Sequence, residues 1–423
     1  MRSPLPQEPK PPDMTASPSP SNGQLAAPIT AGIAATTIVA LPTMLVGGLA
    51  ILMGRDMGFG ASELGVAIAA TFAAGAIAAV PAGRLAERVG PRRTTQVGLA
   101  FGLASLLGIG LVARSWPALV ICLAIAGIGI TTVQLGVNVL VARAVPAERQ
   151  GIAFGAKQAA VPLASMVAGL AVPAIGLTVG WPAAFLLAAI AVPLVAIGIP
   201  DAGPGRRPAD ASTAADPPVR ALVLLAVGVA LASAGGNSVP AFTVASAVDH
   251  GFEPAAAGLL LVLGGFVGIL VRVVGGWVGD RLGRGALLLV VALVTIGTVG
   301  FLGLALVEAP ILIAVCTALA FGGGWGWGGL VILAVARTSP VAPGRAMGIV
   351  QVGPMAGAII GPLAFGWLAA NVAFDAAWAV MAGFSLFGAG TILLSRRRLL
   401  RSRPAGLLQA TEPIEPDQRA APA

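Results

Sequence analysis

Two cations stand deep inside apolar stretches of this 423-residue chain. Lys157 lies within "GIAFGAKQAAVPLASMVAGLAVPAIGLTVG", roughly 10 Å beyond Arg149 at a helical rise of 1.5 Å per residue. Arg272 lies within "GLLLVLGGFVGILVRVVGGWVG", roughly 12 Å before Asp280 by the same rise. A charge at mid-membrane costs about 2.5–3.5 kcal/mol on insertion scales, so each is a candidate for function. No Asp or Glu occupies the middle of any apolar run, so the pair lacks a neutralising carboxylate and suits an anionic visitor. Snorkelling of the long Lys157 stem to the surface is the competing reading. Uncharged polar groups accompany the cations: Gln158 beside Lys157, then Asn138, Asn237 and Gln351. Such side chains serve equally well to bond helix to helix. In "GGGWGWGG" the indoles of Trp325 and Trp327 point to different faces, so one of them, taken as Trp325, is expected to line a cavity.

Other chemistry has little material. A single histidine, His250, excludes a multi-histidine metal centre. Cys122 and Cys316 both sit in apolar runs and read as small buried hydrophobes. No nucleophile–base set, metal cluster or phosphate loop is present, so the expectation is no enzyme activity, no cofactor and no metal.

The elements that must hold these residues are membrane spans. The chain is 57% apolar and 10% charged, against roughly 25% charged in a soluble domain. Mean hydropathy is +0.93. A span needs roughly 20 apolar residues. Twelve such runs are predicted, at about 27–53, 61–83, 94–113, 117–144, 150–178, 180–199, 220–247, 254–279, 285–307, 310–337, 345–371 and 374–395. The fold class is thus an all-α polytopic membrane protein of two six-helix bundles, at 25–200 and 220–395. "PDAGPGRRPADASTAADPP" makes 201–219 a flexible linker. Residues 1–24, Pro- and Ser-rich without an apolar core, read as a disordered tail rather than a signal peptide. Residues 396–423 read as a basic, disordered tail.

The net charge of +8 is scattered in short clusters between runs, which argues for topology signals and against nucleic-acid binding. Alternate loops carry Arg84, Arg88, Arg92 and Arg93, then Arg143 and Arg149, Arg206 and Arg207, Arg281 and Arg284, Arg337 and Arg345, and finally Arg396, Arg397 and Arg398. The opposite loops carry Arg55 and Arg114. Both termini are therefore expected in the cytoplasm, with the chain in the cell (inner) membrane.

The halves repeat. A single shift of 193 positions carries Gly83 onto Gly276, and it also carries Glu87 onto Asp280, Arg88 onto Arg281 and Gly90 onto Gly283. It relates Gly58 to Gly251, Gly65 to Gly258, Pro117 to Pro310 and Gln158 to Gln351 as well. One shift without insertion over about 100 residues marks a duplicated six-helix unit, the arrangement of a parallel repeat about an axis normal to the membrane.

These motifs resemble those of the major facilitator superfamily. "GRLAERVGPRR", between the second and third runs, is similar to its signature loop, and "GWVGDRLGR" to the counterpart between the eighth and ninth. "PAERQGIAFG" resembles a third family motif, with the weaker "VAPGRAMG" in the second half. The resemblance implies transport by alternating access, with the fifth and eighth runs facing one another between the halves. It also implies a latch that holds the outward-open state. Physically, Glu87 and Asp280 can pair with arginines and with a helix N-terminus. The latch set is then Gly83, Glu87, Arg88, Gly90, Arg92 and Arg149, with Gly276, Asp280, Arg281, Gly283 and Arg284. The expected cargo is a small organic anion, a carboxylate, bound by Lys157, Gln158, Arg272, Asn138, Asn237, Trp325 and Gln351. Efflux of drug-like or amphipathic compounds is the alternative. "GAIIGPLAFG" resembles the Gly-Pro motif of family antiporters, but it lies in the eleventh run rather than the fifth. The chain is expected to act as a monomer in the bilayer, and a coupling proton or counter-substrate is left open.

Overall fold

In the computed structural model, the described residues are 22–145, 150–201, 218–282, 285–338 and 343–401. Ten helical stretches among them are long and apolar enough to cross a membrane. One of these, Ala61–Val112, doubles back on itself, and Trp181–Ile197 adds a shorter crossing of 17 residues. That makes twelve spans. Helix α1 is Asn22–Gly48, continued by a short helix Ala50–Met57. Helices α2 and α3 are the two limbs of Ala61–Leu107, which reverses at Gly90 (φ 81°, ψ 170°) and ends in a π turn, Gly108–Val112. Helix α4 is Trp116–Ala144, and α5 comprises Gln150–Gln158, Ala160–Ala171 and the π turn Val172–Gly176. Helix α6 is Trp181–Ile197, α7 Val219–Asp249, α8 Pro254–Leu282 and α9 Ala286–Leu306. Helix α10 comprises Pro310–Leu319, the π turn Ala320–Gly324 and Gly328–Thr338. Helices α11 and α12 are Pro343–Asn371 and Phe374–Arg401.

The boundaries depart from expectation at two places, for the same reason. The basic segment after residue 83 is not a loop, because α2 stays helical to Gly90. Arg, Leu, Ala and Glu are strong helix formers, and the reversal is left to one glycine with positive φ. Helix α12 likewise runs past 396 to Arg401, its arginines lying at the negative end of the helix dipole. The linker falls almost wholly on residues 202–217, outside the described residues, as does most of each tail.

Without a hydrophobic drive between helices in lipid, packing relies on small residues that let backbones touch. A Cβ at Gly127 of α4 would overlap the carbonyl oxygen of Thr71 in α2, and one at Gly361 of α11 would overlap that of Ala234 in α7. The seam between the halves uses the same device. A Cβ at Gly47 in α1 would stand 2.7 Å from the carbonyl oxygen of Pro240 in α7. Gly65 in α2 would strike the Pro362 carbonyl in α11, and Gly258 in α8 would stand 2.8 Å from the Gly169 carbonyl in α5. The 193-residue shift converts the first of these last two contacts into the second and pairs Gly47 with Pro240 itself. The repeat is thus a two-fold relation in space, and α5 does face α8.

These seam contacts lie toward the face opposite the termini. Toward the terminal face, Gly83, Gly155, Gly276 and Gly348 have nothing within 4 Å of an added Cβ. The halves are therefore pressed together at one face. Overpacking a tight helix contact costs about 1–3 kcal/mol. Gly127→Ala is expected to lower the thermal midpoint of the purified protein by several degrees, whereas Gly83→Ala, with open space around it, leaves the midpoint unchanged or slightly higher. Thermal unfolding of the two variants side by side checks this.

Candidate functional site

Lys157 lies in the last turn of the first helical segment of α5 and is only 3% exposed, so it does not snorkel. Its ammonium donates to the side-chain oxygens of Gln134 and of Asn138, the latter at 2.9 Å. Both acceptors stand one turn apart on α4, on one face, and present two amide dipoles to the charge. The lysine is thereby solvated within its own half. Gln134 was not singled out in the sequence, although its spacing of four from Asn138 is the signal that could have found it. Gln158, the next residue, is partly buried, and its Cγ lies 3.9 Å from a Cβ placed on Gly329 of α10. Gln158 thus reaches across the seam where Lys157 does not.

Arg272 is also held by its own half. One guanidinium nitrogen donates to the carbonyl of Gly268 at 3.3 Å, and another to the carbonyl of Trp325 at 2.8 Å. The guanidinium lies 4.7 Å from the centroid of the Trp325 ring, a cation–π contact. Trp325 packs edge-on against Phe321, with ring centroids 5.8 Å apart. The reason is local. Helix α10 is interrupted by the π turn Ala320–Gly324 and resumes at Gly328. Interrupted helices in a membrane leave carbonyls that something must satisfy. Arg272 takes the carbonyl of Trp325, and the Trp327 indole N–H donates to that of Gly324 at 2.7 Å. Trp327 is 5% exposed and belongs to the core of the second half, so Trp325 is the indole in contact with the half-buried cation.

The remaining residues are placed differently. The Asn237 amide donates to the Ser233 carbonyl at 2.9 Å and to the Ser233 hydroxyl at 2.8 Å. Ser233 in turn donates to the Pro354 carbonyl of α11 at 3.0 Å, so this polar group bonds α7 to α11. Gln351 is exposed on α11 beside the exposed Val352. The structure therefore gathers Lys157 with Asn138, and Arg272 with Trp325, as two clusters in separate halves.

At the signature loop, Glu87, Arg88 and Arg92 are exposed, and among the described residues Glu87 makes no ion pair. Gly90 provides the reversal and Gly83 is unobstructed, as is Gly276. Arg281 lies 3.5 Å from the ring centroid of Trp277. The side chain of Asp280 lies outside the described residues, and so do Arg149, Gly283 and Arg284. Among the described residues no cluster of His, Cys, Asp and Glu could hold a metal, and both cysteines are free thiols.

Leaving a buried charge short of a partner costs about 1–3 kcal/mol or more. Asn138→Ala is therefore expected to destabilise the protein by that order. In a double-mutant cycle with Lys157→Met, part of the loss should be recovered, because the stranded ammonium is gone. Urea or thermal unfolding of the four proteins measures the coupling.

The family model of the Major Facilitator Superfamily matches the chain over residues 32–229 and again over 224–421. A chloramphenicol resistance protein of Streptomyces lividans is 30% identical over 169 residues, which is 38% of this chain and 42% of that protein. The match thus spans less than half of that relative. Two solved structures of a bacterial homolog to the human lysosomal transporter Spinster, both inward-facing, one occupied and one unoccupied, share the fold. Their TM-scores are 0.66 and 0.68 at 14% identity, and each match covers 91% of this chain and 100% of the other. Matched by the family model in both of its repeated halves, the chain belongs to the Major Facilitator Superfamily of membrane transporters.

Proposed function

We propose that this transporter exports amphipathic, drug-like compounds by alternating access. The observation that carries the reading is the fate of the two cations within the spans. The Lys157 ammonium is met by two amide oxygens, and the Arg272 guanidinium by two carbonyls and an indole face. Charges satisfied in this way hold helices together and leave less field for a carboxylate than bare cations would. The likeness to the chloramphenicol resistance protein over part of its length also supports a neutral, amphipathic cargo.

In this reading the termini are cytoplasmic, and the seam closed at the opposite face is the inward-facing state. The loop at Glu87, exposed and without an ion pair among the described residues, is the latch in its released form. It would engage when the terminal face closes, pairing its carboxylate with arginines or a helix N-terminus.

Ligand that binds the folded protein raises its apparent stability by about 2.7 kcal/mol at a hundredfold excess over Kd. Purified protein is expected to be stabilised against heat by chloramphenicol and other neutral aromatic amphiphiles, and little by short-chain carboxylates. Expression in a drug-sensitive bacterium should raise the inhibitory concentration of the same compounds. Stabilisation by carboxylates alone, lost on Arg272→Ala, would overturn the proposal in favour of anion transport.

A further inference from the structure

At the face opposite the termini, the second half carries a cluster that drug export does not use. His250, the one histidine of the chain, follows the last residue of α7. Its Nδ1 lies 2.8 Å from the Ser246 carbonyl oxygen, and its Nε2 lies 3.2 Å from a carboxylate oxygen of Asp375 in the first turn of α12. A backbone carbonyl has no proton to give, so Nδ1 must carry a hydrogen. A neutral imidazole has only one N–H, and the second contact, to a carboxylate, therefore requires a second proton. Both contacts are satisfied together only when the pair holds one proton beyond that on Nδ1.

The surroundings fit that state. The charged groups at this end of the second half are Asp249 on α7, Glu253 before α8, Glu308 between α9 and α10, and Asp375 on α12. All four are exposed. No Lys or Arg occurs in 221–271, 285–336 or 346–395. The His250 side chain is 15% exposed and that of Asp375 57%, so the pair is open to exchange with water. Behind it lies a small cavity lined by His250, Thr243, Ser246, Thr317 and Trp378.

We propose that His250 and Asp375 form a proton-binding site that clasps the end of α7 to the start of α12. A second tie lies one turn below, where the buried Trp378 indole donates to the Ser246 hydroxyl at 2.8 Å. That tie does not titrate, whereas the first does. Pro240 inside α7 lacks the amide that would bond back to residue 236, so the segment beyond it is free to bend. The same segment begins with the residues against which Gly47 of α1 seals the two halves. A bound proton therefore holds the outer segment of α7 in its sealing position. The sign follows directly: the clasp is made at acidic pH and lost as pH rises and the ring sheds its second proton. This site is independent of which compound is carried.

With a single histidine, the chain labelled with ¹⁵N-histidine gives one pair of ring nitrogen signals. In nanodiscs, the wild-type protein should show both nitrogens protonated at acidic pH and convert to the Nδ1–H neutral form as pH rises. The carboxylate is the acceptor that the second ring N–H meets, so removing its charge removes the partner of that proton. Asp375→Asn should therefore weaken proton binding about tenfold, and Asp375→Glu should restore it. Asp375 is exposed, so neither change threatens folding. Identical titrations in the wild type and Asp375→Asn, or a neutral ring protonated on Nε2, would overturn the proposal.

Discussion

Glycine at the seam is the constraint on which the rest of this molecule depends. Two bundles that must part and rejoin in lipid have no hydrophobic effect to draw them together, because the acyl chains are as apolar as leucine. What remains is close backbone contact, and Gly47, Gly65, Gly169 and Gly258 provide it at one face. Valine side chains flank the backbone contacts, Val262 beside Gly169 and Val172 beside Gly258. Their pairing obeys the 193-residue repeat, so the two halves offer each other equivalent surfaces related by an axis along the membrane normal.

Polar groups answer a different need. Hydrocarbon leaves no unsatisfied carbonyl or ammonium without a large cost. The break in α10 and the cation at Arg272 meet that demand jointly, each supplying the partner the other lacks. Lys157 is met by Gln134 and Asn138 in the same spirit. In both clusters the charge fixes a helix pair inside one half and leaves the seam uncharged. Among the described residues no ion pair spans the interface, so it can open without breaking one.

Much of this was legible in the chain. The twelve runs and the repeat follow from hydropathy and from glycine and arginine spacing, which are local properties that lipid enforces strictly. The continuation of α2 to Gly90 was not legible, because the arginines that signal a loop are also good helix formers. Nor was the company of Lys157, since depth along a helix is readable while the direction of a side chain depends on its neighbours. Lys157 and Arg272 were expected to share an anion site, and their hydrogen bonds run to Asn138 and to the Trp325 carbonyl, each within its own half. Asn237 was expected at the substrate and is bonded to Ser233. The contact of Asp375 with His250, 125 positions earlier in the chain, was not legible either, because it joins two helix ends far apart in sequence.

The central claim is that the halves rock about a seam closed by glycine contacts at the face opposite the termini. Spin labels at Glu63 and Val372, on a background without the two native cysteines, would report the separation of α2 and α11 at that face. With Gly65→Val the added side chain has no room beside the Pro362 carbonyl. The account predicts that this variant shifts the distance distribution to longer values, while Gly83→Val leaves it as in the parent. An unchanged distribution in Gly65→Val at normal folding would contradict it.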